Sequence, residues 1–306
     1  MNPALSVILF TTLSGTGYGL WLWLGLRIAL GPRAWDFEPI GWFFALLLGA
    51  ALTSIGIVAS LWHLGKPLRV WRAFSQWRTS WMSREGVMAV ATLAVAVLMV
   101  APLPVPHELV LRPLAALLAL CALGTVCSTA MIYASLKPIP AWRQPLVLPG
   151  YIGFALLTGG LAFAALPQPT EVLRFALPVL AVLAIAMAIL KLVYWRAIDN
   201  SSLPQTRGDA IGLPNRKPSV FERPHTEANY LTREMGFVVA RKHARKLRLF
   251  SLLLFAAVPV VCIVLAIAMS SPWPWLLIAT LSAITGAFLE RWLFFAQAKH
   301  LVMLYY

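Results

Sequence analysis

The sequence predicts an all-α integral membrane protein with eight transmembrane helices and both termini cytoplasmic. Three observations carry this expectation. Of 306 residues, 60% are apolar and 12% charged, against about 25% charged in an ordinary soluble domain. Eight apolar runs approach or exceed the roughly 20 residues needed to cross about 30 Å of hydrocarbon. Lys and Arg divide unequally between the two sets of loops that those runs define. This composition excludes a soluble globular enzyme, a disordered chain and a secreted disulfide scaffold. Cys121, Cys127 and Cys262 lie scattered in apolar runs. They are too few for a disulfide framework or a four-cysteine cluster, and read as small core residues.

The runs cover roughly 5–30, 39–63, 84–102, 109–135, 144–166, 172–195, 249–270 and 275–297. The first has no basic residue before Arg27 and is too long for a signal peptide, so it is expected to remain as a helix. Pro102, Pro104 and Pro106 close the third. The last two are separated only by 270–275, a Ser-Ser-Pro-Trp-Pro-Trp turn whose Trp273 and Trp275 suit an interfacial belt.

Charge then sets the orientation. The net charge is +14, which in a soluble protein would suggest nucleic acid. Here nucleic-acid binding is not expected, because the loops after helices 2, 4 and 6 hold 19 Lys and Arg, and the opposite loops hold 4. By the positive-inside rule the first set, with both termini, faces the cytoplasm. The chain reads as one polytopic domain over 1–306, with cytoplasmic loops at 64–83 and 197–247. The second loop begins as an irregular Pro- and Gly-containing stretch. From Thr226 it is expected to form an amphipathic helix, ending in the basic cluster Arg241 to Arg248. That cluster suits anionic lipid headgroups and an acidic cytoplasmic partner alike.

No nucleotide, metal or nucleophile motif is present. Gly15-Thr-Gly17-Tyr-Gly19 lies inside the first helix and reads as close helix packing. Ionisable residues near membrane depth are therefore the functional candidates. They concentrate where helix 2 leaves the bilayer and helix 3 begins. His63 comes first, then Lys66, Arg69, Trp71, Arg72 and Phe74, then Trp77, Trp81, Ser83, Arg84 and Glu85. Ser83 is expected to cap helix 3, with Glu85 in its first turn. His, Glu and aromatic residues at one depth suit a quinone head group, which needs proton donors and acceptors between flat apolar walls. Tyr133, Tyr194, Trp195 and Lys191 fall near the same level at the ends of helices 4 and 6. Glu290 and Arg291 lie inside helix 8. Neighbours in sequence do not share a helix face, so each is expected to pair with another helix. Glu290 either relays a proton or holds Arg84 or Lys191. The five histidines are dispersed and none sits mid-span, which argues against a b-type heme.

The string His63-Leu-Gly-Lys-Pro-Leu-Arg69, with Ser83-Arg-Glu85 opening the third of eight helices, resembles the membrane anchor family of dimethyl sulfoxide reductase. That family includes the anchor of the cytoplasmic sulfite dehydrogenase. The resemblance covers essentially the whole chain. It implies a subunit of the bacterial inner membrane that binds quinone (ubiquinone or menaquinone) and does no chemistry on the soluble substrate. Molybdopterin and iron–sulfur clusters would reside on two separate soluble partner subunits, an iron–sulfur subunit and a catalytic one. It maps the quinone-site histidine, arginine and glutamate onto His63, Arg69 and Glu85, with His63 and Glu85 handling the proton. Trp71, Arg72 and Tyr133 are added from depth and chemistry. The weight of basic charge on the cytoplasmic face favours the sulfite branch, with electrons passing to quinone, over a reductase drawing on quinol. A secondary transporter is the other class considered. Neither broken helix pairs nor paired half-repeats support it.

Overall fold

The computed structural model describes residues 3–31, 39–62, 66–101, 107–201, 203–219, 221–222, 227 and 243–305. Among these the chain is helical, with no strand, and eight helices are long and apolar enough to span a membrane. We number them α1 (Leu5–Leu30), α2 (Pro39–Leu61), α3 (Trp81–Val100), α4 (His107–Ala134), α5 (Val147–Ala164), α6 (Thr170–Asn200), α7 (Ala244–Ala268) and α8 (Trp273–Ala296). Helices are the expected solution, because a backbone in hydrocarbon must satisfy its own hydrogen bonds.

The number of spans agrees with the hydropathy reading, while several bounds do not. α3 starts at Trp81, so Ser80 occupies the N-cap position, without a side-chain cap bond, and Ser83 is buried inside the helix. Glu85 is thus past the first turn, and capping does not explain it. α6 continues to Asn200, because no proline or glycine interrupts 196–200. α7 begins at Ala244 within the basic stretch, and a wide turn at Leu253–Ala257 interrupts its regular winding. The amphipathic helix expected from Thr226 falls mostly on residues outside those described. The chain between α2 and α3 is a tight helical segment, Pro67–Gln76.

α1 is the organising element, packing against α2, α4 and α5 and touching α8. Glycines make this possible. A Cβ on Gly17 would meet Thr53 Cγ2 of α2 at 2.7 Å, and one on Gly19 would collide with the Ala155 carbonyl of α5. Small residues therefore bring three backbones together, as membrane helix packing requires. α3 reaches the core through α4, and α6 and α7 pack beyond α5 and α8. Eight crossings put residues 66–80, 135–146 and 201–219 at one end of the bundle with both chain ends. We call this the basic end.

Candidate functional site

Two polar groupings lie toward the basic end. The first is the rim built by Pro67–Gln76 and the start of α3. Phe74 lies over this turn of α3, since a Cβ on Gly86 would meet its ring at 3.2 Å. Trp71 is 64% exposed, and the Arg72 guanidinium stands 5.4 Å from its ring centroid. Arg69 is exposed on the same segment. Arg84 stacks on Trp81 at 4.2 Å and donates to the carbonyls of Trp77 (3.1 Å) and Arg78 (2.7 Å). It is thus committed to tying down the loop and does not pair with Glu290. Glu85, half-buried, receives a short hydrogen bond from the Thr129 hydroxyl of α4. His63 lies outside the described residues. Among the expected site residues, Glu85 is thus brought against α4, while Arg69, Trp71 and Arg72 line the exposed rim beside it.

Tyr133 follows Thr129 by one helical turn, but it faces an aromatic cluster rather than the rim. Its ring stacks on Tyr151 (5.9 Å between centroids) and meets Trp142, Phe294 and Phe295 edge-on. Trp142 donates to the Phe294 carbonyl at 3.0 Å. This cluster joins α4, α5 and α8.

The second grouping is sealed. Glu290 of α8 is 0% exposed and ion-pairs with Lys191 of α6 and with Arg291 (3.2 Å). Lys191 also sits over the Tyr194 ring at 3.9 Å. Arg291 lies 3.6 Å above the Tyr151 ring of α5. Of the two expectations for Glu290, the structure realises the pairing with Lys191. It corrects the expectation that neighbours 290 and 291 do not meet: Arg291 reaches Glu290 while its guanidinium stacks on Tyr151 of α5.

Between the two groupings lies a small cavity lined by α1, α4, α5 and α8. It offers about 20 Å³ to the centre of a water, room for roughly one molecule. Thr129 lines it on one side and Arg291 on the other. The α1 wall is rich in hydroxyls, among them Thr12, Ser14 and Thr16. The Thr16 and Thr158 hydroxyls bond each other across α1 and α5 at 3.0 Å. Sequence reasoning passed over these residues. The available signal was the Thr11-Thr12-Leu-Ser14-Gly-Thr16-Gly-Tyr18 run inside a span.

Comparison with known proteins decides the family. Residues 1–297 match the family model of the DMSO reductase anchor subunit, DmsC. The chain belongs to this family. It is also 34% identical, over a 337-residue alignment, to a protein of Allochromatium vinosum named as a sulfite dehydrogenase subunit; the alignment covers 100% of this chain and 99% of that relative. The anchor reading therefore rests on a family that spans nearly the entire chain. No group of three or more His, Cys, Asp or Glu able to hold a metal occurs among the described residues.

The described rim residues fit a lipid-borne quinone. Glu85 accepts a single hydrogen bond in this structure, from Thr129, so its carboxyl retains capacity for another partner. Exposed aromatic faces at Trp71 and Phe74 offer apolar walls for such a ring.

Proposed function

We propose that this chain is the quinone-reactive membrane anchor of a molybdenum-containing oxidoreductase complex, held in a bacterial inner membrane with both termini cytoplasmic. The carrying observation is membership in the DMSO reductase anchor family over residues 1–297, together with a half-buried Glu85 at an aromatic, cationic rim. An iron–sulfur subunit and a molybdopterin subunit dock on the basic end. The 34% identical relative, named for sulfite dehydrogenase, favours sulfite oxidation over reduction of dimethyl sulfoxide.

Quinone, when bound, supplies two-electron, two-proton chemistry. The chain's own residues then have separable tasks. Arg69 and Arg72 provide positive potential at the exposed rim. His63, able to change charge near neutral pH, exchanges the proton, and Glu85 connects it to Thr129. Trp71 shapes the entrance. Tyr133 belongs to the aromatic wall behind Thr129 and acts by positioning.

The test compares turnover with quinone and turnover with a soluble dye that takes electrons from the partner subunits. Glu85→Gln and His63→Ala should each lower the quinone rate by roughly 10²-fold, the scale of a lost general acid–base, and leave the dye rate intact. An unchanged ratio in both variants rejects the site. Assaying sulfite and dimethyl sulfoxide as substrates of the purified complex decides between the two branches.

A further inference from the structure

Among the described residues, the fully buried charges leave one positive charge in excess. Lys191 and Arg291 bring two positive charges to the sealed cluster, and Glu290 brings one negative charge. A carboxylate able to balance it is the half-buried Glu85, which reaches the cavity wall through Thr129. Isolated net charge is expensive at this depth. Arg291 stays protonated, so Arg291 and Glu290 form a fixed neutral pair. Neutrality then leaves two arrangements: Lys191 and Glu85 both ionised, or both neutral. They differ only in the position of one proton.

The cavity lies between Thr129, which bonds Glu85, and Arg291, which pairs with Glu290. Tyr151 is 4% exposed and its hydroxyl has no hydrogen-bond partner. Thr12 is 5% exposed and its hydroxyl is likewise unpartnered. Both line the cavity. Two orphaned hydroxyls around room for one water are what a buried water requires. The Thr129 hydroxyl joins that space to Glu85, and the Tyr151 ring lies under the Arg291 that holds Glu290. Tyr18 of α1 and Tyr133 of α4 also lie within electrostatic range of Glu85. On the far side, a cleft of about 200 Å³ opens at the basic end beside Asp199, Arg248 and Gln297. Trp195 is near both Arg248 and Lys191. The Arg248 guanidinium and the Lys191 ammonium lie 5.4 and 5.5 Å from its ring centroid.

We propose that this water-sized cavity is a proton passage between Lys191 and Glu85, refilled from the cleft beside Arg248. A proton given up by Glu85 at the rim is replaced through Thr129, the cavity water and the Tyr151 hydroxyl. Lys191 supplies it and recovers its own proton from the cleft. The passage enters the bundle on the flank away from Pro67–Gln76, so proton uptake and the docked electron donor do not compete for one opening. The inference rests on the assignment of Glu85 to the quinone site.

The test uses the intact complex. Radiolytic hydroxyl labelling, which marks side chains touching bound water, should label Tyr151 despite its burial. An unlabelled Tyr151 overturns the passage. Lys191→Met and Tyr151→Phe should lower quinone-linked kcat by roughly 10-fold or more, with the quinone KM and the dye rate unchanged. A small weak acid such as formate should partly restore the Tyr151→Phe rate, as it would not for a packing defect. If Glu85→Gln slows quinone turnover while both other variants run at the wild-type rate, the passage is wrong and the quinone assignment stands. If none of the three slows it, both are wrong. Quinone and dye rates falling together would mark a folding loss and also overturn the passage.

Discussion

Glu85 and Glu290 are carboxylates toward the same end of one bundle, and their surroundings are opposites. Glu290 is closed in by Lys191 and Arg291, one on each oxygen, with aromatic rings beyond. Glu85 has one neutral donor, Thr129, and a rim of exposed Trp and Arg side chains beside it. A carboxylate held by two cations gains little by changing its protonation state. One held by a single hydroxyl can change state at small cost. The difference sets a structural charge centre apart from the carboxylate proposed to react.

The largest effect should come from the sealed centre. Glu290→Ala leaves Lys191 and Arg291 buried together without a counter-charge. Breaking a buried pair in this way costs about 3–5 kcal/mol. Thermal unfolding in detergent, or loss of the protein from membranes, reads this out. Glu85→Gln should leave stability nearly unchanged. Lys191→Met should be far milder than Glu290→Ala, because the Glu290–Arg291 pair survives. Equal losses for the two would break the distinction between the fixed pair and the exchangeable lysine.

The packing beneath the cavity comes next. Gly19 meets the Ala155 carbonyl, and Gly159 approaches the Gly19 backbone in return. Gly19→Ala must push α1 from α5, an overpacking cost of about 1–3 kcal/mol. Both helices wall the cavity, so the Tyr151 environment should alter with stability, while the rim around Glu85 should not. Unfolding temperature and radiolytic labelling measure the two together.

How much of this was legible in the sequence follows from what each residue must avoid. Eight spans are visible because lipid tolerates few charges, and hydropathy reports that directly. Helix ends are not, because polar residues can extend a helix into water: α6 runs to Asn200 and α7 starts within basic residues at Ala244. The wide turn at Leu253–Ala257 leaves no trace in hydropathy. It lies where the Gly286 backbone approaches Phe255. At the site, Glu85 and Glu290 stood out as charges out of place. Thr12, Thr129 and Tyr151 did not, since a hydroxyl in a helix usually bonds its own backbone, as Thr53 does to Gly49 at 2.8 Å. Their importance depends on which helices face the same space, and only the fold supplies that.

The rim should be sensitive to salt where the sealed centre is not. Lys66, Arg69 and Arg72 are exposed, and exposed charges contribute roughly 0.2–1 kcal/mol each while steering association. Reversing all three to Glu should release the partner subunits at moderate salt in co-purification, with the unfolding temperature of the anchor itself unchanged. Retention at every salt concentration would move the docking surface elsewhere, with the residues beyond 227 the next to examine.

The smallest effect concerns the C-terminal turn beside the cleft. His300 Nδ1 accepts the Val302 backbone N–H at 3.0 Å, and the Leu301 N–H donates to the Pro138 carbonyl at 3.0 Å. Partial burial holds the His300 pKa below its ordinary value of 6.5. The unfolded turn therefore binds a proton more readily than the folded one. Its stabilisation is present above the ordinary histidine range and is lost as pH falls from there through the lowered folded value. Protonation also removes the acceptor that Val302 uses. Amide protection at Leu301–Leu304, corrected for intrinsic exchange rates, should fall as pH drops below the ordinary histidine value of 6.5, and in His300→Gln that pH dependence should vanish. Exchange in α3 around Glu85 should not follow this titration. If it did, the cleft and the rim would be coupled through the backbone rather than by a proton passage, because His300 touches neither Thr129 nor the cavity between them.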